Sequence, residues 1–237
     1  MALSRDDVTP TTGSFDRFAA DYERLLDDPL RHTFAGDSTF FIAQKCRALW
    51  RHLERELPST DRRRVLDAGC GLGTAVGLLR GDCNAIGSDV SFSMLGHAVR
   101  HGPVVVQEPF DLPFRSAAFD AAFAFCVYHH IEESDRSRHL SEVARVVRPG
   151  GLVFVFEHNP LNPVTRRVFH RAPVDRGCRL IARRTLSGLF REAGLLDIRH
   201  GYVLFLPEAL QGAFGALEPH LEWLPLGGQY YVCGRKG

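Results

Sequence analysis

The sequence predicts a doubly wound α/β fold built on a mostly parallel, seven-stranded sheet. Three observations predict it. From residue 64 onward, short apolar or β-branched runs alternate with helical stripes at the spacing of βαβ units. The first of these runs ends in three glycines at spacing two, Gly69, Gly71 and Gly73, and a helical stripe follows. The chain has 237 residues, 45% hydrophobic and 24% charged, enough to bury one large core. The same figures set aside a disordered, collagen-like or coiled-coil chain. No run approaches the roughly 18 apolar residues of a membrane span.

The elements follow in order. Residues 1–14 are polar and turn-rich and read as a frayed end. Phe15, Phe18, Ala19, Tyr22, Leu25 and Leu26 give a helical stripe over 15–31. Asp37 is the expected N-cap of a second helix, whose apolar positions Ile42, Cys46, Leu49, Trp50, Leu53 and Leu57 step by three and four until Pro58. Strands are expected at 64–68, 84–88, 104–106, 119–127, 152–156, 196–206 and 229–233. Helices are expected at 74–80, 91–100 and 185–193, with one more that Ser134 or Asp135 caps and Pro149-Gly150-Gly151 ends, and one or two short ones in 208–224. Residues 158–180, rich in proline and arginine, break the rhythm and read as an insertion near the mouth of a site. The division expected is therefore a helical cap over 1–59 and an α/β domain over 60–237.

Charge and cysteines limit the setting. Lys and Arg total 29 against 28 Asp and Glu, a net charge of +1, so no global field gathers nucleic acid and no nucleic-acid partner is expected. The N-terminus lacks the apolar stretch of a secretory signal. The six cysteines form no C-x-x-C pair and read as core thiols of a reducing, cytoplasmic setting.

The strongest chemical signal is Val65-Leu66-Asp67-Ala68-Gly69-Cys70-Gly71-Leu72-Gly73-Thr74. Glycines there accept positive φ and let a ligand approach the backbone, although turn chemistry alone also uses them. The helix behind them offers free N–H groups to a carboxylate or phosphate. Asp89 follows at the end of the next strand, where a doubly wound sheet presents an acid to ribose hydroxyls. An N-cap for the helix at 91–100 explains an acid there equally well. A dinucleotide-binding loop puts its third glycine five positions after the first, whereas Gly73 comes four after Gly69.

The glycine segment resembles motif I of the class I S-adenosylmethionine-dependent methyltransferases, with Asp67 as its acidic residue. Further stretches resemble that family in the same order: Asp89-Val90-Ser91 with Met94-Leu95, Asp111-Leu112-Pro113-Phe114 with Phe119-Asp120, Phe125–Ile131, and Val146–Gly151. The layout resembles the small-molecule branch of ubiquinone and menaquinone methyltransferases. The resemblance implies a Rossmann-like methyltransferase fold, S-adenosylmethionine as cofactor and S-adenosylhomocysteine as product. It implies Gly69 and Gly71 against the methionine part of the cofactor, Asp67 near its amino group, and Asp89 on the ribose. Glu108 stands where the family has an Asp facing the adenine, with Phe110 and Asp111 contributing through backbone or stacking. Phe125 and Cys126 are expected beside the sulfonium, and Tyr22 is the favoured contact if residues 15–31 close over the cofactor.

Transfer from a sulfonium needs a base only if the acceptor must lose a proton. His129, His130 and His158 all follow strand ends, and His129 and His158 are the candidate catalytic residues, with His130 orienting its loop. A His–Glu metal site through Glu157 has no ligand spacing behind it, and no metal is expected. The segment 160–200 holds nine arginines against three acids. It favours an acceptor bearing carboxylate or phosphate, with an anionic membrane surface or a plain solvated face as the other readings. The rivals to a methyltransferase are an NAD(P)-dependent oxidoreductase, which the glycine spacing disfavours, and a non-catalytic cofactor-binding module.

Overall fold

The computed structural model describes residues 15–58 and 62–237. The polar end 1–14 lies outside them. Seven strands form one sheet: β1 (Arg64–Ala68), β2 (Asn84–Asp89), β3 (Val104–Val106), β4 (Phe119–Phe125), β5 (Val147–His158), β6 (Leu195–Val203) and β7 (Gln229–Lys236). Their order is β3-β2-β1-β4-β5-β7-β6, with β1 to β5 parallel and β7 antiparallel to both β5 and β6. The order reverses beside β1, the topological switch point at which such sheets bind ligands.

The N-terminal stripe does not form one helix. A 3-10 turn, Asp16–Asp21, leads into α1 (Tyr22–Leu25) and α2 (Pro29–Phe34). The break is chemical: Asp28 is extended, its carboxylate accepts the Leu30 N–H, and Pro29 opens the next helix. Asp37 caps α3 (Ser38–Glu56) as expected, through the Thr39 N–H. Cys46, Leu49 and Leu53 of α3 share a core with Val65, Phe123, Phe154 and Tyr231 on one face of the sheet.

The other helices are α4 (Thr74–Leu79), α5 (Phe92–Ala98), α6 (Arg136–Val146), α7 (Pro163–Arg171), α8 (Arg183–Glu192), α9 (Glu208–Phe214) and α10 (Glu218–Leu221). On the opposite face, Leu140 and Val143 of α6 and Leu186 and Phe190 of α8 pack on Leu66, Ala122, Val153 and Val232. Several boundaries differ from expectation: β5 and β7 are longer than expected and β6 ends at Val203 rather than 206. The run at 119–127 leaves the sheet after Phe125, where Cys126 takes a φ of +58°. Pro149-Gly150-Gly151 lies within β5 rather than ending a helix, and α6 stops at Val146. The start of α6 is as expected, with Asp135 at its N-cap, but the side chain makes no capping bond. The α7 segment fills the stretch read as an insertion. Among the described residues, no helix is long and apolar enough to cross a membrane.

Candidate functional site

The carboxyl ends of β1, β4 and β5 open into a cavity of ≈ 340 Å³. Its roof is α1, α2 and α7, and its back wall is the first half of α3. The glycine turn forms its floor. Gly71 has a φ of +50°, and a Cβ there would meet nothing within 4 Å, so the backbone faces open space. Gly73 has a φ of +75°, and a Cβ there would lie 2.8 Å from that of Ala98, so only glycine lets α4 pack this close to α5. The Asp89 carboxylate ties the turn to β2: Oδ2 accepts the Gly71 N–H at 2.8 Å and Oδ1 the Ser91 N–H at 2.9 Å. Capping of α5 falls to Ser91, whose hydroxyl accepts the Met94 N–H, so Asp89 does not serve as the cap.

Asp67 is buried on the cavity wall, and among the described residues no donor reaches its carboxylate. Burial, reinforced by the negative charge of Asp89, pushes it up to about 8. Lys45, also buried, reaches in from α3. Its ammonium lies 4.7 Å from the centre of the Phe125 ring and 3.7 Å from Cys126 Sγ. Gln229 Nε2 donates to the same sulfur at 3.4 Å.

The far end of the cavity holds the histidines. His129, 3% exposed, is fixed at both ring nitrogens: Nδ1 lies 2.7 Å from Glu157 Oε2 and Nε2 3.3 Å from Asp175 Oδ1. Glu157 is itself held by the Tyr128 N–H at 2.8 Å. His130 Nε2 approaches the same Asp175 oxygen at 3.4 Å, and its Nδ1 lies 3.2 Å from Cys178 Sγ. The His129 and His158 rings are 5.3 Å apart. Burial alone lowers His129, but the Glu157 and Asp175 carboxylates outweigh it and raise the ring to about 10. Burial, and then the charge on His129, depresses His158 to about 4 and His130 to about 3. Both carboxylates stay below their ordinary range in spite of burial, because of His129.

Of the residues singled out in the sequence, Tyr22, Asp67, Gly69, Gly71, Phe125, Cys126, His129 and His158 line this one cavity. Asp89, Glu108, Phe110 and Asp111 lie outside its walls. Glu108 and Asp111 are exposed, and Arg138 covers one face of the Phe110 ring at 5.1 Å. Sequence reasoning missed Lys45, Asp175 and Gln229. Lys45 left a signal, a cation between Ile42 and Leu49 on the apolar stripe of its helix. Asp175 left none, since one acid in an arginine-rich segment reads as surface.

Comparison with known proteins places the sheet and its glycine turn in a family. Residues 66–155 match the family model described as a methyltransferase domain. The chain is 39% identical over 93 residues to a tRNA (carboxymethyluridine(34)-5-O)-methyltransferase of Arabidopsis thaliana, covering 38% of this chain and 23% of that one. It is 35% identical over 127 residues to a demethylmenaquinone methyltransferase of Corynebacterium kroppenstedtii, covering 51% and 54%. The chain thus spans under two thirds of the length of these curated relatives. A solved S-adenosylmethionine-dependent methyltransferase of Thermotoga maritima, titled a possible histamine N-methyltransferase, superposes with a TM-score of 0.66 at 20% identity, covering 94% and 98%.

Proposed function

We propose, from the premise that residues 66–155 of this chain are a class I S-adenosylmethionine-dependent methyltransferase domain, that the protein methylates a small-molecule acceptor. The observation that carries the reading is the Asp67 carboxylate, buried beside the open backbone of Gly71 and, among the described residues, without a donor of its own. A buried acid without a donor is costly, and an ammonium group of the cofactor's methionine end offsets that cost. The fit extends further. The backbone at Gly71 is bare enough for close approach, while Gly69 packs on Val127, where a Cβ would lie 2.6 Å from its methyl, and Lys45 supplies a cation for a carboxylate. The Asp16–Asp21 turn rests on the start of α5, where Asp16 accepts from Ser91 Oγ at 2.6 Å and from the Ser93 N–H at 3.0 Å. Asp89 and the 108–111 segment serve the adenosine half in this reading.

When bound, the cofactor supplies a methyl group already activated on a sulfonium, so the protein's work is positioning and exclusion of water. Phe125 and Cys126 flank the turn, and the strained backbone at Cys126 aims that wall into the cavity. The acceptor sits at the histidine end against Val168 and Phe169, with His158 meeting its polar group and His129, held at both ring nitrogens by Glu157 and Asp175, behind it. A concave cavity of this size favours a small molecule over a folded RNA.

Calorimetry with S-adenosylmethionine, S-adenosylhomocysteine and NAD tests the assignment. The first two bind and the third does not. Gly71→Val puts a branched side chain where the cofactor approaches and abolishes binding. Asp89→Ala frees the turn and weakens binding about ten- to a hundredfold, as a lost hydrogen bond to a charged group of about 1.5–3 kcal/mol dictates. Wild-type affinity in both folded variants, or preferential binding of NAD, overturns the proposal.

A further inference from the structure

We infer that the histidine end of the cavity is a binding site for one divalent transition-metal ion of the zinc type, held by His129, His158 and Asp175 with His130 beside them. One ring nitrogen from each of His129 and His158 and a carboxylate oxygen of Asp175 lie within 4.8 Å of one another. These residues come from three places that the fold alone unites: the turn after β4, the end of β5, and the 3-10 turn Pro173–Asp175.

Two further features point to a cation. First, Glu157 already grips His129 Nδ1 at 2.7 Å and is anchored by backbone, which fixes the ring and turns Nε2 toward Asp175. A carboxylate behind the imidazole is the usual support of a metal-bound histidine. Second, the Nε2 atoms of His129 and His130 both converge on Asp175 Oδ1, at 3.3 and 3.4 Å. One carboxylate oxygen serves both at the long end of the hydrogen-bond range, whereas an ion held by His129, His158 and Asp175 takes His129 Nε2 out of that sharing. The ligand atoms must draw in by about an ångström to reach bond lengths of about 2.0–2.2 Å.

Imidazole nitrogens with one carboxylate oxygen select zinc-like ions over magnesium or calcium. The ion faces the cavity and leaves a position open to the polar group of an acceptor. This inference adds to the methyltransferase reading but is tested without the cofactor.

The purified full chain, stripped with chelator, is titrated with Zn2+ by calorimetry and with Co2+ by visible absorption. One ion per chain is expected. Bound Co2+ gives a d–d band stronger than that of the aqueous ion, and Zn2+ displaces it. His158→Ala and Asp175→Asn each weaken Zn2+ about a hundredfold or more, and Glu157→Gln about ten- to a hundredfold. Exposed His97→Ala leaves binding unchanged and controls for surface sites. Near-ultraviolet circular dichroism checks that each variant is folded; should Asp175→Asn unfold, His158→Gln carries the test. No saturable binding, or equal binding in the folded His158 variants, overturns the inference. Binding of S-adenosylhomocysteine is measured in parallel: its loss with metal binding intact sinks the methyltransferase reading alone, and the reverse sinks the metal site alone.

Discussion

At the scale of single residues, Asp67 carries a local cost of burial. Its carboxyl sits at about 8 because burial, and then the Asp89 charge, disfavour the ionised form. The sign follows from proton linkage. Above the unfolded value of 3.8, the unfolded chain has released this proton while the folded chain keeps it, so this group's contribution to stability falls as pH rises, until about pH 8. Asp67→Asn removes that slope. Urea melts of the cofactor-free protein at about pH 5 and about pH 8 should show the variant gaining on the wild type at the higher pH. A difference between the two proteins that stays flat with pH rejects the account. Asp67, Gly69 and Gly71 were legible in the sequence because a strand, a turn and a helix start are local and need only short-range spacing. Lys45 left only the mark of a cation on an apolar stripe and Asp175 none, because what makes them chemical is the company that the fold brings.

At the scale of elements, the roof of the cavity makes its own prediction. Tyr22 lines the cavity, Phe15 meets the His130 ring edge-on at 4.9 Å, and Asp16 holds the start of α5. These short elements bury few side chains of their own, and Ala19 is the one buried in the Asp16–Asp21 turn. Segments of that kind open with little free energy. Binding of S-adenosylhomocysteine is expected to slow hydrogen exchange across 15–31, while the core strand β4 stays unchanged. Equal exchange in the bound and free protein removes the lid role and leaves plain packing. The break at Asp28–Pro29 was written in the sequence as an N-cap followed by proline, but the apolar stripe masked it. The early end of the fourth strand was not legible, because Cys126 and Val127 are as apolar as the strand before them.

At the scale of the whole molecule, a net charge of +1 conceals a strong local asymmetry. Arg171 pairs with Asp28 at 3.2 Å and Arg199 pairs with Glu56, which takes both out of any free basic face. Arg166 and Arg167 stand exposed on α7, the helix whose Thr165, Val168 and Phe169 line the cavity. If they draw in an anionic acceptor, replacing both with Ala raises its apparent KM severalfold, and added salt raises the wild-type KM toward the same value by screening. Cofactor affinity stays unchanged. A KM indifferent to both makes the patch ordinary surface. By itself the sequence determined the alternation of strands and helices, the glycine turn at the switch point and the acids beside it, because hydrophobic period, capping and turn chemistry act over a few residues. Only the tertiary structure decided that β7 runs antiparallel between β5 and β6, that α3 backs the cavity with a lysine, and that Asp175 closes on His129 and His158. Those choices depend on which distant surfaces bury each other, and contacts across tens of residues leave no periodic mark on the chain.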